Sequence, residues 1–236
     1  MLKINRYETL YQLAFFPRLF PVNCYLIEEE NELTLIDAGL PLSKKGIIKT
    51  AKRIGKPITK IVLTHPHDDH IGALDRLKEE LVDVSIYVSI RDEKLMRGDR
   101  TLEPGEPETP IRGGVPTKLK TRASILVKEG DTIGSLKVIE TPGHTPGSIS
   151  LLDTRNGALI AGDAFQTKGG MAVAGKIQPL FPFPAMATWN KEIALKSAEK
   201  MLDYNPSILA IGHGKMIKQP KKLMEQAIIE ARKNLA

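Results

Sequence analysis

The 236-residue chain is short of several things, and each shortage excludes something. Its one cysteine, Cys24, leaves no intrachain disulfide and suits a reducing cytoplasm. Aromatic residues make up only 5% of the chain, too few for the interleaved aromatic and basic pattern of a nucleic-acid platform, so that partner is not expected. No stretch reaches the roughly 18 uncharged apolar residues of a membrane helix. The segment 177–190 is shorter and holds Pro179, Pro182 and Pro184. Residues 10–22 are partly apolar, but Gln12, Pro17 and Arg18 interrupt them and no small-residue cleavage site follows, so no secretory leader is expected. Repeats and low-complexity linkers are also missing. One α/β domain over residues 1–236 is the simplest expectation.

What is present is a balanced soluble composition, 42% apolar and 26% charged, with 34 basic against 28 acidic residues. The net charge of +6 reads as a solvated surface, with Lys215, Lys218, Lys221 and Lys222 as its densest patch. Strand and helix periodicities alternate. Val22 to Glu28 and Leu33 to Asp37 form a hairpin closed by Gly39. Ser43 caps a helix carrying Ile47, Ile48, Ala51 and Ile54, which Gly55 and Pro57 stop. A short buried strand at Ile61 to Leu63 follows, then helical spacing from Ile71 to Leu81 and a strand through Val84, Ile86, Val88 and Ile90. Residues 92–122 hold four prolines, four glycines and no aromatic, which predicts a long loop acting as a lid or pocket rim. Strands at Leu136 to Ile139, Ile149 to Leu152, Leu159 to Ala161 and Ile208 to Ile211 complete the pattern. Two helices are expected against them, one around Leu195 to Leu202 and one from Pro220 to Ala231.

The chemistry lies in five histidines. Each of His65, His67, His70, His144 and His213 sits at or just past a strand end or in a turn flanked by glycine or proline. Extended spacing points His65 and His67 the same way, and an incipient helix brings Asp69 and His70 round. Imidazole and carboxylate at this density are costly unless a cation binds them, and the donor set suits zinc, or iron or manganese, better than calcium or copper. His144 lies in Thr-Pro-Gly-His-Thr-Pro-Gly and His213 in Gly-His-Gly, where glycine lets backbone approach closely. Asp163 follows a buried strand in the same manner. Cys24, early in a strand with no histidine beside it in sequence, reads as core.

The His-x-His-x-Asp-His run from His65 to His70, followed in order by Gly-His, Gly-Asp and Gly-His, resembles the metallo-β-lactamase superfamily from the first hairpin to His213. The resemblance implies a four-layer αββα sandwich with two divalent metal ions, zinc before iron or manganese, at one edge of two packed sheets. It places one ion on His65, His67 and His144 and the other on Asp69, His70 and His213, with Asp163 bridging them. Asp37 matches the family's supporting acid, and is equally a turn aspartate at a strand end.

Such a site points to a hydrolase of a small ester, lactone or thioester, with metal-bound hydroxide as nucleophile and Asp69 taking up a proton as the intermediate collapses. Where lactonases of the family carry a tyrosine, three residues after the bridging aspartate, this chain has Gln166. The alternatives are a mononuclear iron oxidoreductase similar to persulfide dioxygenases and a phosphodiesterase or nuclease. The expected partner is a small-molecule substrate, with no membrane and no nucleic acid.

Overall fold

The computed structural model describes residues 1–235. Its first sheet has seven strands in sequence order: β1 (Leu2–Tyr7), β2 (Leu10–Phe15), β3 (Val22–Glu28), β4 (Leu33–Ile36), β5 (Ile58–Val62), β6 (Ser85–Ser89) and β7 (Ile125–Val127). The first four run antiparallel, and β4 through β7 pair in parallel. Between them lie the helices α1 (Lys44–Ile54), α2 (Asp68–Ile71), α3 (Leu74–Glu80) and α4 (Asp92–Met96).

The second sheet contains β8 (Thr132–Ile133), β9 (Leu136–Glu140), β10 (Ile149–Asp153) and β11 (Ala158–Ile160). A two-stranded ribbon of β12 (Phe165–Gln166) and β13 (Ala172–Val173) stands apart from it. The short α5 (Phe183–Met186) and the longer α6 (Lys191–Asp203) follow. Then β14 (Ile208–Ala210) and β15 (Ile217–Lys218) complete the second sheet before α7 (Lys221–Lys233). Its spatial order is β15-β14-β11-β10-β9-β8, with β11 and β14 parallel.

Why these segments layer as they do is visible in which side chains share a core. Tyr25, Ile36 and Val62 of the first sheet meet Val138, Leu151 and Ile160 of the second. On the outer face of the first sheet, Leu35 and Ile61 pack on Ile47 of α1 and Leu74 of α3. On the outer face of the second, Ile139 and Leu209 pack on Met201 of α6 and Ile228 of α7. Both sheets are thus covered on both faces, which is why β4 reads Leu-Thr-Leu-Ile without polar alternation. The layers are α, β, β and α, as expected.

Several details differ from the sequence expectation. The segment before Val22 is a hairpin, β1 and β2, whose mixed polar pattern on an edge carries a weak strand signal. Ser43 stands at the start of α1, but its hydroxyl accepts from the Leu40 N–H (3.1 Å) and makes no cap bond to the helix. Residues 92–122 are not loop throughout: 92–96 form α4, and Leu95, Ile111 and Val115 enclose Trp189 in a small core of their own. The Trp189 indole N–H donates to the Thr109 carbonyl at 2.8 Å. A tryptophan 67 residues downstream of residue 122 supplies the apolar partner that the segment itself lacks.

Candidate metal centre

Strand ends from both sheets deliver the seven candidate donors to one point. His65 and His67 follow β5, Asp69 and His70 lie on α2, His144 sits in the β9–β10 turn, Asp163 follows β11, and His213 follows β14. All five histidines and Asp163 are buried, and Asp69 is the partly open member. Three overlapping trios, His65/His67/His144, His65/His70/Asp163 and Asp69/His70/His213, each hold their ligand atoms within 4.8 Å of one another. Asp163 lies between the two ends of the cluster, with Oδ1 3.3 Å from His70 Nε2, and Oδ2 3.1 Å from His213 Nε2 and 3.5 Å from His144 Nε2.

Hydrogen bonds at the rear of each ring determine which nitrogen faces inward. Thr188 gives its hydroxyl proton to the Pro184 carbonyl (2.8 Å), so its oxygen accepts from His144 Nδ1 (3.1 Å). Thr64 gives its proton to Asp37 Oδ2 (2.8 Å) and accepts from His65 Nδ1 (3.1 Å). His67 Nε2 donates to the Arg112 carbonyl (3.1 Å), His70 Nδ1 to Asp37 Oδ2 (2.7 Å), and His213 Nδ1 to the Pro21 carbonyl (2.6 Å). Five inward nitrogens remain: His67 Nδ1 and Nε2 of the other four. Asp37 is therefore a supporting acid in fact, since it anchors His70 directly and His65 through Thr64.

The two ends of the cluster differ in charge. Burial holds His67 down at about 4 despite the pull of Asp69 and Asp163, and it holds His144 at about 3. Burial and the neighbouring imidazoles push His65 down as well. At the other end burial is overcome: Asp163 and Asp69 raise His213 to about 10, and Asp163, Asp37 and Asp69 raise His70. Asp163 itself, against its own burial, is held far below the usual carboxylate range by His213 and His70.

These residues fit a cation. His67 Nδ1 and His144 Nε2 stand 3.0 Å apart, and with both rings neutral and both protons committed elsewhere, two lone pairs face each other. His65 Nε2, His70 Nε2 and Asp163 Oδ1 are buried without a hydrogen-bond partner. Unpartnered polar atoms converging in this way are costly without a bound ion to satisfy them. Close backbone is part of the site, because a Cβ at Gly212 would fall 2.0 Å from Asp163 Oδ1 and one at Gly113 2.4 Å from His67 Nε2.

Sequence reasoning missed the clamp on His144. Asp92, fully buried, accepts from the Thr145 hydroxyl and from the Gly147 N–H (2.8 Å), and Ser89 Oγ donates to the Gly147 carbonyl (2.6 Å). Burial raises the Asp92 carboxyl to about 6. In sequence Asp92 lay at the start of the expected 92–122 loop, which gave it no signal. Asn23 and Tyr25 were missed too: Asn23 Nδ2 donates to the Ile211 and Gly214 carbonyls, and Tyr25 OH donates to the Ile211 carbonyl (2.6 Å), holding the His213 turn against β3.

The mouth of the site is apolar. Phe20 packs on Phe181 and Phe183 with ring centroids 5.1 and 5.2 Å apart, and Phe181 lies 5.3 Å from the His213 ring. Buried Gln166 supports this wall by donating to the Phe181 carbonyl. A cleft of about 580 Å³ leads from Asp69 between Phe20, Leu40, Ile71, Val115 and Leu119. Part of the 92–122 segment lines this rim, and its Gly114 carbonyl accepts from the Asp68 N–H (2.8 Å).

The model of the Metallo-beta-lactamase superfamily matches residues 17–213. The chain is 56% identical to the uncharacterized protein YobT of Bacillus subtilis (strain 168), covering 98% of this chain and all of that one. It is 33% identical to the probable metallo-hydrolase YflN of the same organism, over 81% of this chain and 80% of that one. Among solved structures, the DIM-1 metallo-beta-lactamase aligns with a TM-score of 0.74 at 16% identity, covering 99% of this chain and 98% of that one, a likeness of fold.

Proposed function

The chain belongs to the metallo-β-lactamase superfamily, and from that premise we propose that it is a dinuclear metal-dependent hydrolase of a small ester, lactone or thioester bearing an apolar group. His65, His67 and His144 would hold one ion, Asp69, His70 and His213 the second, with Asp163 shared between them; zinc fits this donor set first, then iron or manganese. Bound there, divalent ions supply a water of lowered pKa and a Lewis acid for the scissile carbonyl.

The chain's own residues do the rest. Asp37, Thr64, Thr188 and the carbonyls of Pro21 and Arg112 fix each imidazole by its rear nitrogen. Asp69, whose Oδ2 lies 3.3 Å from His213 Nε2 at the inner end of the cleft, is ionised at rest and is placed to take a proton as the leaving group departs. Phe20 and Phe183 take an apolar substituent and exclude water from one side. A protein nucleophile is disfavoured, because every histidine has its rear nitrogen occupied, and Cys24 is fully buried with its thiol pushed well up by that burial. Both sheets contribute donors, which supports reading residues 1–236 as one catalytic unit, and the lone buried thiol accords with a cytoplasmic setting.

The observation that carries this reading is the pair of bare nitrogens, His67 Nδ1 and His144 Nε2, facing each other at 3.0 Å. The test is elemental analysis after saturation with zinc, iron or manganese, followed by a panel of ester, lactone, thioester and phosphodiester substrates. Two metal equivalents per chain and turnover of a carbonyl ester or thioester are expected. At most one equivalent, or turnover of phosphodiesters alone, would overturn it.

A further inference from the structure

The +6 net charge, read from sequence as a diffuse surface property, is concentrated in one place. Helix α1 carries Lys44, Lys45, Lys49, Lys52 and Arg53 and no acid. With these five set aside, 29 basic residues face 28 acidic ones over the rest of the chain. Lys44 pairs with Glu80 at 2.8 Å. Lys45, Lys49, Lys52 and Arg53 are exposed, and none has a carboxylate within 4.0 Å among the described residues. The C-terminal lysines singled out from sequence differ, because Lys221 and Lys222 share α7 with Glu225 and Glu230. On α1, like charges three and four residues apart repel one another, and beyond the Lys44–Glu80 pair no carboxylate among the described residues relieves them.

The shape around these charges matters as much as their number. The helix buries Ile47 and Ala51 against the first sheet and stands as a ridge between two clefts. One, of about 830 Å³, separates it from the β1–β2 hairpin; the other, of about 650 Å³, lies on its α3 side. Lys49 and Arg53 line both. From Lys45 to Arg53 the ridge runs about 12 Å, the length over which one strand of a duplex carries three to four phosphates. The outward face of α1 has no aromatic side chain, and Tyr11 in the neighbouring cleft is covered by the Arg6 guanidinium at 4.8 Å from its ring. Base stacking therefore has no platform, and the apolar face a helix would insert into a lipid surface is already buried.

We propose that α1 is a docking ridge for the phosphate backbone of double-stranded nucleic acid, bound through charge and without reading sequence. The ridge is remote in function from the histidine cluster, and the inference does not depend on the hydrolase reading.

The test is fluorescence anisotropy of the full chain with a labelled 20-base-pair duplex at 50 to 200 mM salt, with anionic phosphatidylserine vesicles in parallel. Four phosphate contacts predict a log–log slope in salt of about −3.6. Lys49→Ala with Arg53→Ala should reduce that slope by about 1.8 and weaken binding roughly 60-fold at 0.1 M salt, with melting temperature and metal content unchanged. Should that double variant be poorly folded, Lys45→Glu with Lys52→Glu provides the same reading. The same slope and affinity in a His67→Ala variant would show that the duplex does not bind through the metal centre. No duplex binding at 50 mM salt, a slope unmoved by the α1 substitutions, or tighter binding to the vesicles than to the duplex would each overturn the proposal.

Discussion

Two ends of one cluster, built largely from the same residue type, hold opposite charge. At His65, His67 and His144 burial dominates and the rings stay neutral; at His70 and His213 three carboxylates reverse the effect of the same burial. Where a cation is to bind, the first end presents lone pairs that nothing occupies, and the second presents protons that a cation has to displace. The difference teaches that a histidine's role here is decided by the acids it faces, not by its motif position.

The largest expected effect comes from the residue that joins the two ends. Asp163→Ala removes the carboxylate lying between His70, His144 and His213. It should lower metal content at both ends and kcat/KM by roughly 1,000-fold or more, since in the proposed centre it would be shared by both ions. His67→Ala should instead remove mainly the ion of the three-histidine end, and His70→Ala mainly the other. Elemental analysis of the three variants checks this, and equal losses in all three would erase the distinction between the ends.

The pH dependence sharpens the comparison. With His67 at about 4 and His144 at about 3, the three-histidine end is unprotonated at every pH above about 5, and its metal affinity should be flat from pH 6 to 8. His213, raised to about 10, holds a proton over that whole range and His70 is raised as well, so affinity at their end should rise with pH by up to tenfold per unit for each imidazole proton displaced. Calorimetric titration in buffers of different ionisation enthalpy should show proton release for one metal equivalent and little for the other. In the metal-free protein the same shift acts on stability with a known sign. His213 binds its proton more tightly folded than unfolded, so its contribution is complete below about 6.5 and is lost as pH rises toward 10.

Supporting residues should divide along the same line with smaller effects. Asp92→Asn loosens only the turn that carries His144 and should weaken metal binding at the three-histidine end by 10 to 100-fold, whereas Asp37→Asn, which holds His65 through Thr64 and His70 directly, should weaken both ends. Metal competition with a chromophoric chelator separates the two patterns. Smallest is Phe183→Ala at the half-open mouth, expected to raise KM for an apolar ester roughly three to tenfold with kcat and metal content unchanged. An equal effect on a substrate without the apolar group would dissociate Phe183 from substrate contact.

Much of this site was legible without coordinates because its donors are dense and ordered. Four donors lie between His65 and His70, and the other three each follow a strand and a glycine. The helices α1, α6 and α7 were legible by their apolar stripes, and β3 to β6 by short buried runs. The hairpin of β1 and β2 was not, because the exposed, polar pattern of edge strand β1 carries little strand signal, and α4 and the core around Trp189 were not, because their apolar partners lie distant in the chain. Asp92 fell within an expected loop for the same reason: its partners Thr145 and Gly147 lie more than fifty residues away.

By itself, the sequence determined the residue types, their order, and the alternation of strands and helices that makes a four-layer sandwich, since these follow from local spacing and side-chain chemistry. Only the tertiary structure decided which nitrogen of each histidine faces inward, which rings are neutral, and which cations of α1 find no carboxylate from another segment. Those properties depend on burial and on hydrogen bonds between segments remote in sequence. Neither has a local signature in the chain.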